Sequence, residues 1–402
     1  MHAANQTDPQ TAQPEPPDIV ARRRRGLFFI GCAAAGVGLA LSLQLGLNSN
    51  FAVDELGLSG LQQGIVETFR ESCGIFVLVL MALLASVAEP LIAFLALLLF
   101  GVGLGAYCFV PDFTWLIIAS LVWSQGFHLW IPLPDSMTLA IAEPGRTGYR
   151  LGQIRSAFAV GSASGLVVAW ILVWNELITL RPLYLLAGGA ALLGALACLG
   201  IPCKEKIKRP RLVFRTRYKL YYMLTFLEGW RKQVCIAFAG FLLVKKYGTP
   251  VETMLMLWLV VHVAGWVMAP LIGKMIDRVG ERRELVSYYT LLTVVFCGYG
   301  FVESRVFLQG LFIMDNMLFA FVMAQTMYVN RIAPPEEHTA TLSMGVAMNH
   351  VASVIMPLTG GLLWNYFGYR WAFLTGVVAA ALSIVVALQL PPHTPAASRE
   401  KA

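Results

Sequence analysis

Charge is scarce in this 402-residue chain: 13% of residues are Asp, Glu, Lys or Arg, against about 25% in a soluble domain. Hydrophobic residues make up 57%. That leaves too little polar surface to cover a water-soluble fold of this size, so a soluble globular protein is excluded. The same figures exclude disordered, collagen-like and disulfide-scaffold chains. Cysteine is sparse as well, seven in all, with no paired metal spacing. Cys198 and Cys203 have no partner histidines and end an apolar run, so the cysteines read as membrane-helix residues. No metal site and no cofactor are expected. The chain also lacks H-E-x-x-H, G-x-S-x-G and G-x-x-x-x-G-K-S/T. Those absences argue against an enzyme and against nucleotide-driven pumping, leaving a gradient or facilitated diffusion as the energy source.

What is abundant is long apolar runs. A bilayer core takes roughly 20 apolar residues per helix. Twelve such runs lie near residues 26–47, 61–84, 90–110, 114–138, 153–175, 182–201, 218–243, 251–272, 285–302, 306–329, 341–364 and 371–390. The one long charged segment inside the chain, C-K-E-K-I-K-R-P-R-L-V-F-R-T-R-Y-K-L, follows the sixth run. The expected organisation is a disordered N-terminal tail (1–25), a six-helix bundle (26–201), a basic linker (202–217), a second six-helix bundle (218–390) and a C-terminal tail (391–402). The four arginines Arg22 to Arg25 precede an apolar run too long for a signal-peptide core, so that run reads as the first membrane helix.

Basic residues orient the chain. Of 30 Lys and Arg residues, only Arg181, Lys245, Lys246, Arg305 and Arg370 fall on the side opposite the termini. Arg70, Arg231 and Lys232 fall inside spans, and the remainder share the side of the termini. Positive charge collects in the cytoplasm, so both termini are expected there. The net charge of +7 is then explained by loops facing anionic lipid, and no nucleic-acid partner is expected.

Between the eighth and ninth runs stands G-K-M-I-D-R-V-G-E-R-R, residues 273–283. Gly273 permits close approach of helix ends, Asp277 offers a carboxylate, and Gly280 provides a turn. Arg278, Arg282 and Arg283 supply cations that can lock the carboxylate and the helix ends. This segment resembles the gating signature loop G-x-x-x-D-R-x-G-x-R-R of the major facilitator superfamily. The resemblance implies an all-α membrane protein of twelve helices in two pseudo-symmetric six-helix bundles, working by alternating access. It implies a monomeric, multi-pass secondary transporter of the plasma membrane (bacterial inner membrane), with a small-molecule solute and the lipid bilayer as partners and protons as a candidate coupling ion. The chain departs from the family in three places. The segment 83–91, L-L-A-S-V-A-E-P-L, has no second Asp-Arg copy. V-W-S-Q-G has Val122 where proton antiporters often carry arginine. F-A-V-G-S-A-S-G at 158–165 lacks the proline of drug antiporters. These departures weaken a drug/proton antiporter reading. H-L-W-I-P-L-P-D-S-M at 128–137, R-K-Q-V at 231–234 and M-N-H-V-A-S-V-I-M-P at 348–357 are similar to a prokaryotic branch of the superfamily without an assigned substrate.

A charge at the bilayer centre costs roughly 2.5–3.5 kcal/mol on insertion scales, so each one asks for a reason. Helix 2 carries Glu67, Arg70 and Glu71; helix 7 carries Glu228, Arg231 and Lys232. Helix 4 offers Gln125 and His128, helix 10 Asp315 and Asn316, and helix 11 Asn349 and His350. All fall near the middle of their spans, the depth at which transporter sites lie. The expected solute-binding set is Arg70, Glu71, Gln125, His128, Arg231, Lys232, Asp315, Asn349 and His350. Glu71, His128, Asp315 and His350 are the proton-coupling candidates. Three cations favour a small organic anion, while the acids keep zwitterions and cations open. Glu67–Arg70 and Glu228–Arg231 also fit a purely structural role, as mutually satisfied pairs that join helices. A transport-inactive sensor or assembly partner, and a drug or lipid efflux carrier, are compatible with the same twelve-helix pattern. Pro132, Pro134 and Pro357 are expected to kink their helices beside the two histidines.

Overall fold

The computed structural model describes residues 16–84, 86–143, 145–202 and 214–391. Its elements in chain order are α1 (Pro17–Asn50), α2 (Gly60–Leu83), α3 (Glu89–Ala106), α4 (Phe113–Trp130), α5 (Leu133–Ile141), α6 (Thr147–Trp174) and α7 (Leu180–Cys198). They continue with α8 (Lys219–Lys245), α9 (Val251–Val279), α10 (Glu281–Phe301), α11 (Arg305–Leu318), α12 (Met323–Ile332), α13 (Pro335–Phe367) and α14 (Tyr369–Leu388). Two passes are built from broken pairs, α4 with α5 and α11 with α12, so fourteen helices make twelve passes. Ten passes are apolar enough to cross a membrane by length and composition. The other two are α2 and α8, whose apolar character is interrupted by the charges at 67, 70 and 71 and at 228, 231 and 232. The protein is an all-α, multi-pass membrane protein, as its composition demands.

Local chemistry sets several boundaries. Ser59 and Gln62 form a reciprocal capping box at the start of α2, and the Asp112 carboxylate accepts from the first amides of α4. Pro132 and Pro134 end α4 and restart the chain as α5, so the expected bend is a full break. Pro357 behaves differently, since α13 runs through it without interruption. A 3-10 turn over Phe319–Val322 separates α11 from α12. The expected tail is shorter than its residues 1–25 suggest, because α1 begins at Pro17 and Arg22 to Arg25 are helical. Pro at the first turn lacks the amide that would otherwise go unpaired there. Most of the expected linker, 203–213, and the tails 1–15 and 392–402 lie outside the described residues.

The apolar side chains collect in two cores. One is built on Ile30, Val37, Leu97, Phe100, Leu104 and Tyr184, the other on Leu224, Phe238, Tyr288, Tyr289, Phe296 and Phe373. Val53, Trp258 and Trp364 pack against both and so lie at their seam. The two bundles meet closely at the end remote from the termini, here the distal end. There Asn50 Nδ2 donates to Thr249 O at 3.0 Å and Gln63 Nε2 to Ala237 O at 3.2 Å. α2 and α13 run in near backbone contact: Gly64 faces Pro357 O and the Cα of Gly361, and Thr68 Oγ1 donates to Val354 O at 3.0 Å. Further toward the termini, Val79 and Val346 on the same two helices are 58% and 54% exposed. The molecule is closed at its distal end.

At the opposite end Glu143 accepts from Arg150 Nε at 2.8 Å and Nη2 at 2.5 Å. The Arg150 guanidinium holds the Glu143 carboxyl down at about 2, so this link persists across the physiological range.

The distal contact depends on the missing side chain at position 64. Gly64→Ala puts a Cβ into Pro357 O, backbone that cannot swing aside, and should cost about 1–3 kcal/mol. Gly105→Ala meets nothing within 4 Å and should leave stability unchanged or raised. Thermal unfolding of the two detergent-solubilised variants checks this, and equal midpoints contradict it.

Candidate functional site

The charged residues of α2 and α8 form two ionic groups with different degrees of closure. The first lies wholly in the second bundle. Arg231 Nε and Nη2 donate to Glu228 Oε1 at 3.0 and 2.5 Å, and Nη1 donates to Asp315 Oδ1 at 3.2 Å. Tyr288 OH donates to the same Glu228 carboxylate at 3.1 and 3.2 Å, and the guanidinium lies 4.4 Å from the Phe319 ring centroid. The break between α11 and α12 is what brings Phe319 there. Arg231 is 1% exposed. It is enclosed by the carboxylates of its own bundle, and Asp315 is enclosed with it.

The second group crosses between the bundles. Arg70 pairs with Glu67 one turn earlier and lies 3.6 Å from Glu71 Oε1. Glu71 Oε2 faces the other bundle, 3.5 Å from Lys232 Nζ on α8 and 3.7 Å from His350 Nδ1 on α13. Lys232 Nζ also donates to Asn349 Oδ1 at 3.2 Å, while Asn349 Nδ2 donates to Thr225 O at 3.3 Å. His128, on α4, faces His350 with ring centroids 5.3 Å apart, and its Nδ1 lies 2.9 Å from Ser124 O. A glycine at 74 makes the approach possible, because a Cβ there would enter the His350 ring.

Of the nine expected residues, the structure thus brings Arg70, Glu71, His128, Lys232, Asn349 and His350 into one cluster, and sets Arg231 and Asp315 apart in the enclosed triad. Gln125 joins neither. It lies on another face of α4, beside Cys73, Phe76, Leu99, Leu121 and Val122 in a groove between α2, α3 and α4 of about 340 Å³. Residues three apart are offset by about 60° around a helix, and here that offset leaves Gln125 against α2 and α3 while His128 faces α13. A small cavity of about 20 Å³ lies beside Arg70, lined also by Asn48, Trp258, Cys235 and Asn316, enough for a single water.

Lys232 is the least buried of the three mid-span cations. Its side chain is 18% exposed, against 8% for Arg70 and 1% for Arg231. Ser124, Tyr288 and Phe319 escaped the sequence reading, since a serine or aromatic in a membrane helix carries no cost that marks it. The Glu71, His128 and His350 ligand atoms lie within 4.8 Å of one another, a donor set that no local spacing announces.

In the signature segment, α9 extends through Val279 and Gly280, at φ +85°, links it to α10. The backbones of Gly273 and Asp277 are thus helical, and the turn falls at Gly280. Arg278 and Arg283 are exposed and Arg282 is half-buried.

The family profile described as Major Facilitator Superfamily matches residues 221–402. Among solved structures, the nucleoside transporter NupG superposes with a TM-score of 0.72 at 12% identity, over 90% of this chain and 97% of that one. The D-xylose-proton symporter does so with a TM-score of 0.71 at 11% identity, over 91% and 98%. The profile covers the second bundle, and the likeness to these solved structures extends the shared fold over the rest of the chain. Its fold is the twelve-helix arrangement of these transporters. Among curated relatives, a protein of Citrobacter koseri provisionally named multidrug resistance protein MdtD is 28% identical over 134 residues, 32% of this chain. The chain spans only about 27% of that relative's length.

Removing one partner of the enclosed triad leaves uncompensated charge. Arg231→Met should destabilise the protein by about 3–5 kcal/mol. Adding Glu228→Gln and Asp315→Asn to it should restore most of the loss. Thermal unfolding followed by size-exclusion chromatography checks both variants; a stable single variant contradicts the triad's structural role.

Proposed function

We propose that the protein is a secondary transporter of a small organic anion, and that Lys232 is the cation that receives it. The observation that carries this reading is the sharing of Lys232 between Glu71 of one bundle and Asn349 of its own, at a partly exposed position. An incoming carboxylate or phosphate competes with Glu71 for that ammonium. Glu71 then loses its charge partner across the seam, and the contact that favours distal closure weakens. Solute binding and opening are thereby linked through one side chain. His128 and His350 stand next to Glu71 and supply titratable groups for proton coupling.

The basic residues near the chain ends support cytoplasmic termini in a bacterial inner membrane, which makes the closed distal end periplasmic. A drug-efflux reading draws on the name of the MdtD relatives. Against it stand the ionic lining of the cluster and the missing antiporter motifs.

Counterflow in proteoliposomes tests the proposal. A panel of labelled carboxylates and phosphates should include at least one that accumulates, and Lys232→Gln should reduce its uptake at least tenfold while the protein remains folded. Uptake unchanged in Lys232→Gln overturns the assignment, and accumulation of lipophilic cations alone favours efflux. An imposed pH gradient that alters the wild-type rate identifies proton coupling.

A further inference from the structure

We infer that Glu71, His128 and His350 form a binding site for a divalent transition-metal ion of the zinc class, which bridges the two bundles and holds the distal end shut. The three side chains come from α2, α4 and α13, so two belong to one bundle and one to the other. Their donor atoms lie within 4.8 Å of one another. Two imidazoles with a carboxylate suit zinc, cobalt or nickel rather than magnesium or calcium. Three protein ligands leave a fourth position for water or a solute oxygen.

The supporting shell fits this chemistry. Ser124 O can only accept, so His128 Nδ1 at 2.9 Å donates to it and Nε2 keeps its lone pair for an ion. Metal-ligating histidines are usually oriented in this way. Ser124 is itself fixed by donating from Oγ to Arg70 O at 2.8 Å. Opposite, His350 Nδ1 and Glu71 Oε2 are both buried and make no hydrogen bond. They stand 3.7 Å apart, whereas two ligands about 2.1 Å from a tetrahedral ion lie about 3.4 Å apart. The gap between them is too long for a hydrogen bond and close to the span of two ligands on one ion.

The neighbouring charges define the competition. Lys232 Nζ faces the same Glu71 oxygen at 3.5 Å, and Arg70 faces the other at 3.6 Å. A bound ion takes Glu71 from Lys232, which keeps Asn349 Oδ1 as its partner. Removing the Lys232 charge should therefore strengthen metal binding. Because the ligands assemble only when the bundles meet, an ion that binds there shifts the population toward distal closure. The site stands without knowledge of the solute, whereas the lock rests on the transport reading.

The test is a Co²⁺ titration of tag-free, chelator-stripped protein in detergent, followed by visible absorption, with Zn²⁺ as competitor. Wild type should bind one equivalent. His128→Ala and His350→Ala should each weaken binding at least about tenfold, and Lys232→Met should tighten it. Metal-free thermal midpoints of the histidine variants verify their folding. No stoichiometric cobalt binding in wild type, or equal binding in wild type and folded histidine variants, overturns the site; looser binding in Lys232→Met does the same. Zn²⁺ should then slow counterflow in wild type and not in the double histidine variant, and binding without inhibition overturns the lock. Cobalt absorption is read without transport, so failure of the transport reading leaves that result intact.

Discussion

A carboxylate in the middle of a membrane must be matched by positive charge, and Glu71 draws its match from the opposite half of the molecule. Arg70 beside it is already committed to Glu67. The remaining partners, Lys232 and His350, arrive from α8 and α13. The cost of burying Glu71 is thus lowest when the bundles touch. Everything distal to it follows that constraint: the glycine-lined crossing of α2 and α13, the Gln63 and Asn50 links, and the shared packing of Val53, Trp258 and Trp364. The charges are not merely tolerated in the bilayer. They join one bundle to the other.

The two bundles carry the same local pattern, an acid followed three residues later by arginine, yet put it to different uses. In the second bundle Asp315 and Tyr288 complete a closed shell around Arg231 and Glu228. A buried charge so satisfied stabilises by avoiding the penalty of being alone. In the first bundle the pattern is extended by Glu71, one acid too many for Arg70, and that surplus reaches across the seam. Lys232 is the complementary surplus on α8.

The class, the number of passes and the helices that carry the mid-span charges were legible in the sequence, because apolar length and the cost of buried charge are read residue by residue. The destination of each charge was not. Arg231 and Lys232 are adjacent and equally conspicuous in α8, yet one faces Asp315, 84 residues away, and the other faces Glu71 across the seam. Helical phase separates them, and only the packed structure says what each phase meets. Gln125 shows the converse: it lay at the expected depth on the expected helix and faces a different groove. Convergence of Glu71, His128 and His350 was invisible for the same reason, since its donors lie on three helices with no fixed spacing.

The central claim is that charge matching at Glu71 holds the bundles together at the distal end. Spin labels at Leu177 and Val306, both exposed and in different bundles, report that end directly in a cysteine-free background. Their distance distribution by pulsed electron resonance should be dominated by a short component in the parent protein. Replacing Lys232 with Gln should transfer population to a longer one. Identical distributions in the two proteins would contradict the account, because the seam would then be held by packing alone.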